Sequence, residues 1–260
     1  MLLSELFGFL FIILGCSMGI NFFYSFYYPE YFMVPPIMAV ICMCQTVRAD
    51  PGYIKGKIEK PERPTTMQLG FIKNFSKWGW IKPPRSHGSS WSKKVVFDFD
   101  HHCYWVGNDI GLYNYRFFLQ FLGWLCLGSF IALCETFRFF VNCGAYRDTF
   151  SCKMIYQHTR HIVPLYFVSM FGFFLTLNLL GEAARRFRRG CSYIDYQQGV
   201  IVPKEKNYHF RLFFGSGIPV LYQLFPMWNS LNIYRRADSL EKNCIQYFKR
   251  NDIKVVYKYD

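Results

Sequence analysis

Charge is missing from four long stretches of this 260-residue sequence. Residues 6–28, 31–47, 117–134 and 162–181 hold no Asp, Glu, Lys or Arg over 23, 17, 18 and 20 positions. A helix needs about 20 apolar residues to cross the hydrocarbon of a bilayer. One such run fits a buried core helix, but four in one chain exclude an ordinary soluble domain and predict a polytopic membrane protein. The second and third runs are short, and flanking Tyr, Phe and Trp extend them into the interface. The first run is preceded by Glu5 and by no Lys or Arg, and it exceeds a usual signal-peptide core. It is read as a retained helix.

Acid is scarce as well, with 17 Asp and Glu against 30 Lys and Arg and a net charge of +13. The basic residues are not spread evenly. Segment 48–116 holds 12 and the tail after Gly181 holds 14, leaving Arg138, Arg147, Lys153 and Arg160 between the third and fourth runs. Basic excess marks the cytosolic side of a membrane protein. Both termini and the long loop are therefore expected in the cytosol. The expected organisation is two transmembrane helices in 1–47, a cytosolic loop domain in 48–116, two more helices in 117–183, and a cytosolic tail in 184–260. A basic, aromatic-rich chain can also bind nucleic acid. Here the basic residues flank membrane spans, where anionic lipid attracts them, so no nucleic-acid partner is expected. Glu135 falls at the expected lumenal end of the third span, and no run carries a central acid of the kind that ion pathways use. Repeats and low-complexity segments are absent.

The long loop is nearly without cysteine. Ten are present in the chain, yet 48–116 holds only Cys103. Cys16, Cys42, Cys44, Cys126 and Cys134 fall in the apolar runs as small packing residues, and Cys143 and Cys152 fall in the expected lumenal loop, where a disulfide is allowed. Cys103 ends the run Asp100-His101-His102-Cys103, which continues as Tyr-Trp-Val-Gly-Asn-Asp-Ile-Gly. A free thiol has a pKa near 8.5, so an adjacent imidazole that takes its proton and a carboxylate that fixes the ring make it a nucleophile. The same residue types also bind metal. The residues alone admit both uses.

The pattern Asp-His-His-Cys, then x-Trp, Asn-x-Ile-Gly and Asn-Tyr-Arg-Phe-Phe, resembles the signature of DHHC palmitoyltransferases. Asp50-Pro51-Gly52 resembles the family's Asp-Pro-Gly motif after the second span, and Lys82-Pro83-Pro84-Arg85 its basic-proline element. Ser192-Tyr193-Ile194-Asp195 is similar to a degraded Thr-Thr-x-Glu motif, and Asn207 with Phe214-Gly215 is similar to a tail motif. The resemblance implies an all-α membrane protein of four transmembrane helices with a cytosolic catalytic loop between the second and third. It implies a protein S-acyltransferase with long-chain acyl-CoA, such as palmitoyl-CoA, as co-substrate. Cys103 would be the nucleophile and acyl carrier, His101 the general base, and Asp100 the group orienting it. Arg116 and the Arg185-Arg186-Phe187-Arg188-Arg189 run are candidates for the CoA phosphates. Membrane proteins with cytosolic cysteines would be the acceptors, an accessory subunit is allowed for, and an ER or Golgi membrane is the expected location.

The chain departs from that family most in its metal ligands, and Tyr104 also replaces the usual proline. The family's members hold this loop with two zinc ions, each on three Cys and one His. Ungapped alignment from Asp100 puts the first set on Phe75, Trp78, Gly88 and Val95, and the second on Ser89, Ser92, His102 and Asp109. Every cysteine ligand is gone. Zinc needs thiolates, imidazoles or carboxylates, commonly four, so no metal is expected. The first set reads as an apolar miniature core, the second as a hydrogen-bonded cluster that must be fully satisfied if buried. Retention of Asp100, His101 and Cys103 points to an active, metal-free enzyme. The alternative is an inactive relative that scaffolds other membrane proteins.

Overall fold

A computed structural model describes Leu10, 29–59, 62–63, 65–66, 79–145, 159–189, Ser192, Ile194, Gln197, 231–250 and 254–257. The first charge-free run falls outside the described residues apart from Leu10, as do Phe75, Trp78, Cys152, Asn207, Phe214 and Gly215. Helices dominate: α1 (Pro29–Arg48), α2 (Tyr115–Ala145), α3 (Thr159–Arg189) and α4 (Leu231–Arg250). The expectation of an all-α chain is corrected by three two-stranded antiparallel sheets among the described residues. Their strands are β1 (Gly56–Ile58), β2 (Ser86–Gly88), β3 (Val95–Phe97), β4 (His101–Cys103), β5 (Asn108–Ile110) and β6 (Val255–Tyr257), paired β1–β6, β2–β3 and β4–β5. Each strand has three residues, too few for the period-2 alternation by which a strand is recognised in sequence.

Among the described residues two helical stretches are long and apolar enough to cross a membrane, Tyr115–Asn142 and Ile162–Arg189, and Met33–Arg48 is a shorter apolar stretch. The charge-free third run ends at Cys134, but α2 continues to Ala145. Glu135 therefore lies inside the helix rather than at its end. Ile131, Ala132 and Leu133 before it and Phe137, Phe139 and Phe140 after it continue the apolar helix, and one acid does not stop it.

The chain divides into two compact units. The first contains Met1–Gln45, Tyr104–Val106 and Phe117–Ala184. Within it, a Cβ on Gly128 would stand 3.3 Å from that of Pro35, and one on Gly172 would meet Ser129 Oγ at 2.8 Å. Small residues here let helix backbones approach closely. Phe130 and Phe173 meet at a tilt with centroids 5.4 Å apart, and Phe140 meets Tyr166 edge-on at 5.7 Å. Other rings face outward, with Phe137, Phe167, Phe171 and Phe174 all exposed. Thr136 and Thr176 return their hydroxyls to carbonyls one turn back, Ala132 and Gly172, which satisfies each polar group within its own helix.

The second unit contains Thr46–Cys103, Gly107–Arg116 and Arg185–Asp260. Its core is built by Ile54, Ile81, Val95, Val96, Phe97, Ile110 and Leu112 from the loop, with Ile233, Ala237, Cys244 and Phe248 from one face of α4. The spacing of those four residues puts them on a single helical stripe. Beyond α4, β6 returns to pair with β1, matching Lys57 to Val256.

Candidate active site

Strand β4 carries the signature, and its geometry separates the two histidines. Side chains alternate between the faces of a strand, so His101 and Cys103 share one face and His102 turns to the other. Gly107, at φ 67°, closes the turn to β5 with its N–H bonded to the Cys103 carbonyl at 2.8 Å. The register then sets His101 opposite Ile110, His102 opposite Asp109 and Cys103 opposite Asn108.

Asp100 Oδ2 accepts a hydrogen bond from His101 Nδ1 at 3.1 Å, and Cys103 lies on the His101 face of β4. Cys103 is buried, while the His101 side chain is 41% exposed. Burial opposes charge on His101, but the hydrogen bonds and negative charge of Asp100 and Cys103 outweigh it and push the imidazole up to about 9. Burial would likewise raise the Asp100 carboxyl. The Arg186 guanidinium and the His101 bond overcome that and hold it below the usual carboxylate range. The three groups favour an ionised carboxylate beside an imidazole that readily accepts a proton. Arg186, in the last turn of α3, places Nη1 2.7 Å from Asp100 Oδ1. Sequence reasoning left Arg186 within a basic run as a phosphate ligand. The partner lies 86 residues away, and nothing local in the sequence marks it. Arg116 is 1% exposed, so a phosphate reaches it only where a channel opens to the buried guanidinium.

On the opposite face, Asp109 gathers the second cluster. Its Oδ1 accepts from Ser89 Oγ at 2.9 Å and lies 2.7 Å from His102 Nδ1, while Oδ2 accepts from Tyr53 at 3.2 Å. Burial and the Asp109 charge push the Tyr53 hydroxyl up, keeping it a donor. Ser89 Oγ in turn accepts the backbone N–H groups of Trp91 and Ser92, each at 3.3 Å. Trp91 stacks on the His102 ring with centroids 5.0 Å apart and planes 14° from parallel. Of the expected cluster, Ser89, His102 and Asp109 are joined by their side chains while Ser92 enters through its backbone N–H, and Tyr53 and Trp91 are members the sequence did not reveal. Ser89, Ser92, His102 and Asp109 do not fit a zinc ion. Two are neutral hydroxyls, and the imidazole and carboxylate are engaged with each other. Among the described residues no group of three His, Cys, Asp or Glu is arranged to hold a metal ion. Of the other aligned set, Gly88 and Val95 face each other across β2 and β3.

The flanking motif residues hold the hairpin. Asp50 Oδ1 accepts the N–H groups of Gly52 and Tyr53 at 2.7 and 2.9 Å, making the tight turn in which Gly52 takes φ 101°. The Gly52 carbonyl then accepts from Phe97 N at 3.0 Å. Asn108 Nδ2 lies 3.1, 3.2 and 3.0 Å from the Thr46, Val47 and Ala49 carbonyls, capping orphan acceptors at the end of α1. Asn114 accepts from Gly111 N at 2.9 Å and donates to the Asp109 carbonyl at 2.7 Å. Gly111 admits no side chain, since a Cβ there would strike the Val96 side chain and the Pro51 carbonyl. Asp98 is a further buried acid, paired with Arg85 at 3.2 Å and Arg236 at 3.8 Å.

Residues 73–199 match the family described as DHHC palmitoyltransferase. Among similar curated proteins, rat palmitoyltransferase ZDHHC7 is 34% identical over 127 residues, which is 47% of this chain and 41% of that protein. Palmitoyltransferase AKR1 of Lachancea kluyveri is 29% identical over 175 residues, 59% of this chain and 24% of that protein. Palmitoyltransferase ZDHHC15 of Xenopus laevis is 37% identical over 100 residues, 38% of this chain and 28% of that protein. The matches thus span well under two thirds of each relative.

Proposed function

We propose that this chain, a DHHC-type protein by its domain at residues 73–199, is an active protein S-acyltransferase that carries the acyl group on Cys103. The observation that supports it best is the 3.1 Å hydrogen bond from His101 to Asp100, with Cys103 on the same face of β4 as His101. In the first step the thiol proton already rests on His101, and the Cys103 thiolate attacks the acyl-CoA carbonyl. The CoA–acyl bond breaks, and the departing CoA thiolate leaves with the proton held by His101. An acceptor cysteine then gives its proton to His101 and attacks the acyl-Cys103 thioester, returning Cys103 to its starting state. Asp100 stabilises the imidazolium in both steps.

The surrounding architecture is proposed on the same footing. Four transmembrane segments within 1–47 and 117–183 bracket a cytosolic loop domain, 48–116, with the tail 184–260 also cytosolic. Long-chain acyl-CoA is the donor and membrane proteins with cytosolic cysteines are the acceptors, in an ER or Golgi membrane. Arg116 remains the candidate for the CoA phosphates, and an accessory subunit remains a candidate partner. The loop folds without zinc; stoichiometric zinc in the purified protein would refute this.

Labelling of the purified chain with an alkyne fatty acyl-CoA, released by hydroxylamine, tests the chemistry. Cys103→Ala should abolish the label, and His101→Ala should slow its appearance by about 10²–10⁴-fold, as loss of general-base help does. Undiminished labelling of Cys103→Ala would move the nucleophile elsewhere. A wild-type chain that takes no label would return the inactive scaffold.

A further inference from the structure

Arg186 takes no part in the acyl transfer drawn above, yet it is one of the most enclosed charges in the second unit, with its side chain 5% exposed. A buried guanidinium is costly unless its charge and donors are matched. Here the match is to the reacting segment. Nη1 donates to Asp100 Oδ1 at 2.7 Å and Nη2 to the Asp98 carbonyl at 3.3 Å, so one planar fork grips the chain two residues apart. The guanidinium lies over the Tyr115 ring at 4.1 Å, and Phe187, the next residue of α3, meets that ring edge-on at 6.3 Å. Stacking fixes the plane of the fork, and the fork fixes the carboxylate.

We propose that Arg186 is a positioning residue for the nucleophile: by holding Asp100 Oδ1, it fixes the carboxylate rotation that points Oδ2 at His101 Nδ1. The terminal torsion of an aspartate is broad, so a carboxylate held only by a partly exposed imidazole has latitude to turn away. Pinned at one oxygen, it presents the other in a single direction. With Nδ1 committed to Asp100, the remaining ring nitrogen, Nε2, is left to exchange a proton with the thiol. Lysine cannot reproduce this grip, because an ammonium carries the charge without the planar fork.

The biological meaning of this role rests on the acyl transfer proposed above, and a chemical readout of Cys103 separates the two. Iodoacetamide alkylation of Cys103 in the purified full chain, followed by mass spectrometry, reports the reactivity of the thiol without acyl-CoA. Autoacylation is measured in parallel. Arg186→Gln should slow alkylation by about 10-fold or more, the equivalent of one charge-assisted hydrogen bond. It should lower the rate of autoacylation and leave the apparent KM for acyl-CoA unchanged. Arg186→Lys should fall between wild type and Arg186→Gln. Because Arg186 acts through Asp100, the double variant Asp100→Asn with Arg186→Gln should be no slower than Asp100→Asn alone. Wild-type alkylation in a folded Arg186→Gln chain, or Asp100 and Arg186 effects that multiply, would overturn the proposal. If Arg186→Gln does not fold, Arg186→Lys decides: slowed alkylation supports the fork, and the wild-type rate overturns it. If no chain autoacylates but alkylation follows the expected order, the acyl-transfer reading fails while the positioning role stands.

Discussion

Asp109 accepts three side-chain hydrogen bonds on one carboxylate that is 1% exposed. Removing it by Asp109→Ala strands the donors of Ser89, His102 and Tyr53, and each unsatisfied buried group costs about 1–3 kcal/mol. Tyr53→Phe removes a single bond, worth about 0.5–1.5 kcal/mol. The thermal midpoint of the detergent-solubilised chain should therefore fall much further for Asp109→Ala than for Tyr53→Phe. Equal midpoints would show that the cluster does not hold the loop. On the other face of β4, His101 links stability to pH. Its folded value, about 9, stands above the ordinary 6.5, so the stabilisation is full below about 6.5 and is lost as pH rises through about 9. The excess in thermal midpoint of wild type over His101→Gln should shrink across that window. It should be modest, since the side chain is 41% exposed and screened. A gap that widened with pH would contradict the charged pair.

At the scale of elements, the hairpin β4–β5 assigns the two adjacent histidines to different work. Asn108, Gly111 and Asn114 then fasten that hairpin to the end of α1 and to the Asp50-Pro51-Gly52 turn. Gly111 is the most sensitive of these fastenings, because one neighbour of its absent Cβ is the Pro51 carbonyl, a backbone atom that cannot step aside. Gly111→Ala should behave as overpacking, which costs about 1–3 kcal/mol. It should raise protease sensitivity of the loop and slow acylation of Cys103 together. Normal acylation in that variant would show that the hairpin adjusts freely. The signature residues were legible in the sequence because they sit within one short stretch. The strands were not, since three residues carry too little pattern. The extension of α2 past Cys134 was also hidden, because a charge-free run marks where a span is apolar and not where its helix stops.

For the whole molecule, two helices long and apolar enough to cross a bilayer are present among the described residues. The distribution of basic residues motivates the fuller four-span proposal, and it is testable in sealed vesicles with the cytosolic side outward. A tag at the C-terminus should be cut by added protease, and cysteine probes should leave 143–160 unlabelled until the membrane is opened. A protected C-terminal tag would remove the four-span arrangement.

The sequence by itself determined the chemistry on offer: an acid, a base and a thiol within four residues, apolar stretches of membrane length, and a loop without zinc-binding cysteines. These are local facts, legible because covalent order brings the groups together. Only the tertiary structure decided which groups act in concert. It split His101 from His102 by strand alternation, made Asp109 the centre of a cluster with Tyr53 from 56 residues earlier, and turned Arg186 inward onto Asp100. Such partners are selected by burial, where an ion or donor must find its counterpart from whatever part of the chain packs against it. Sequence spacing carries no trace of that selection.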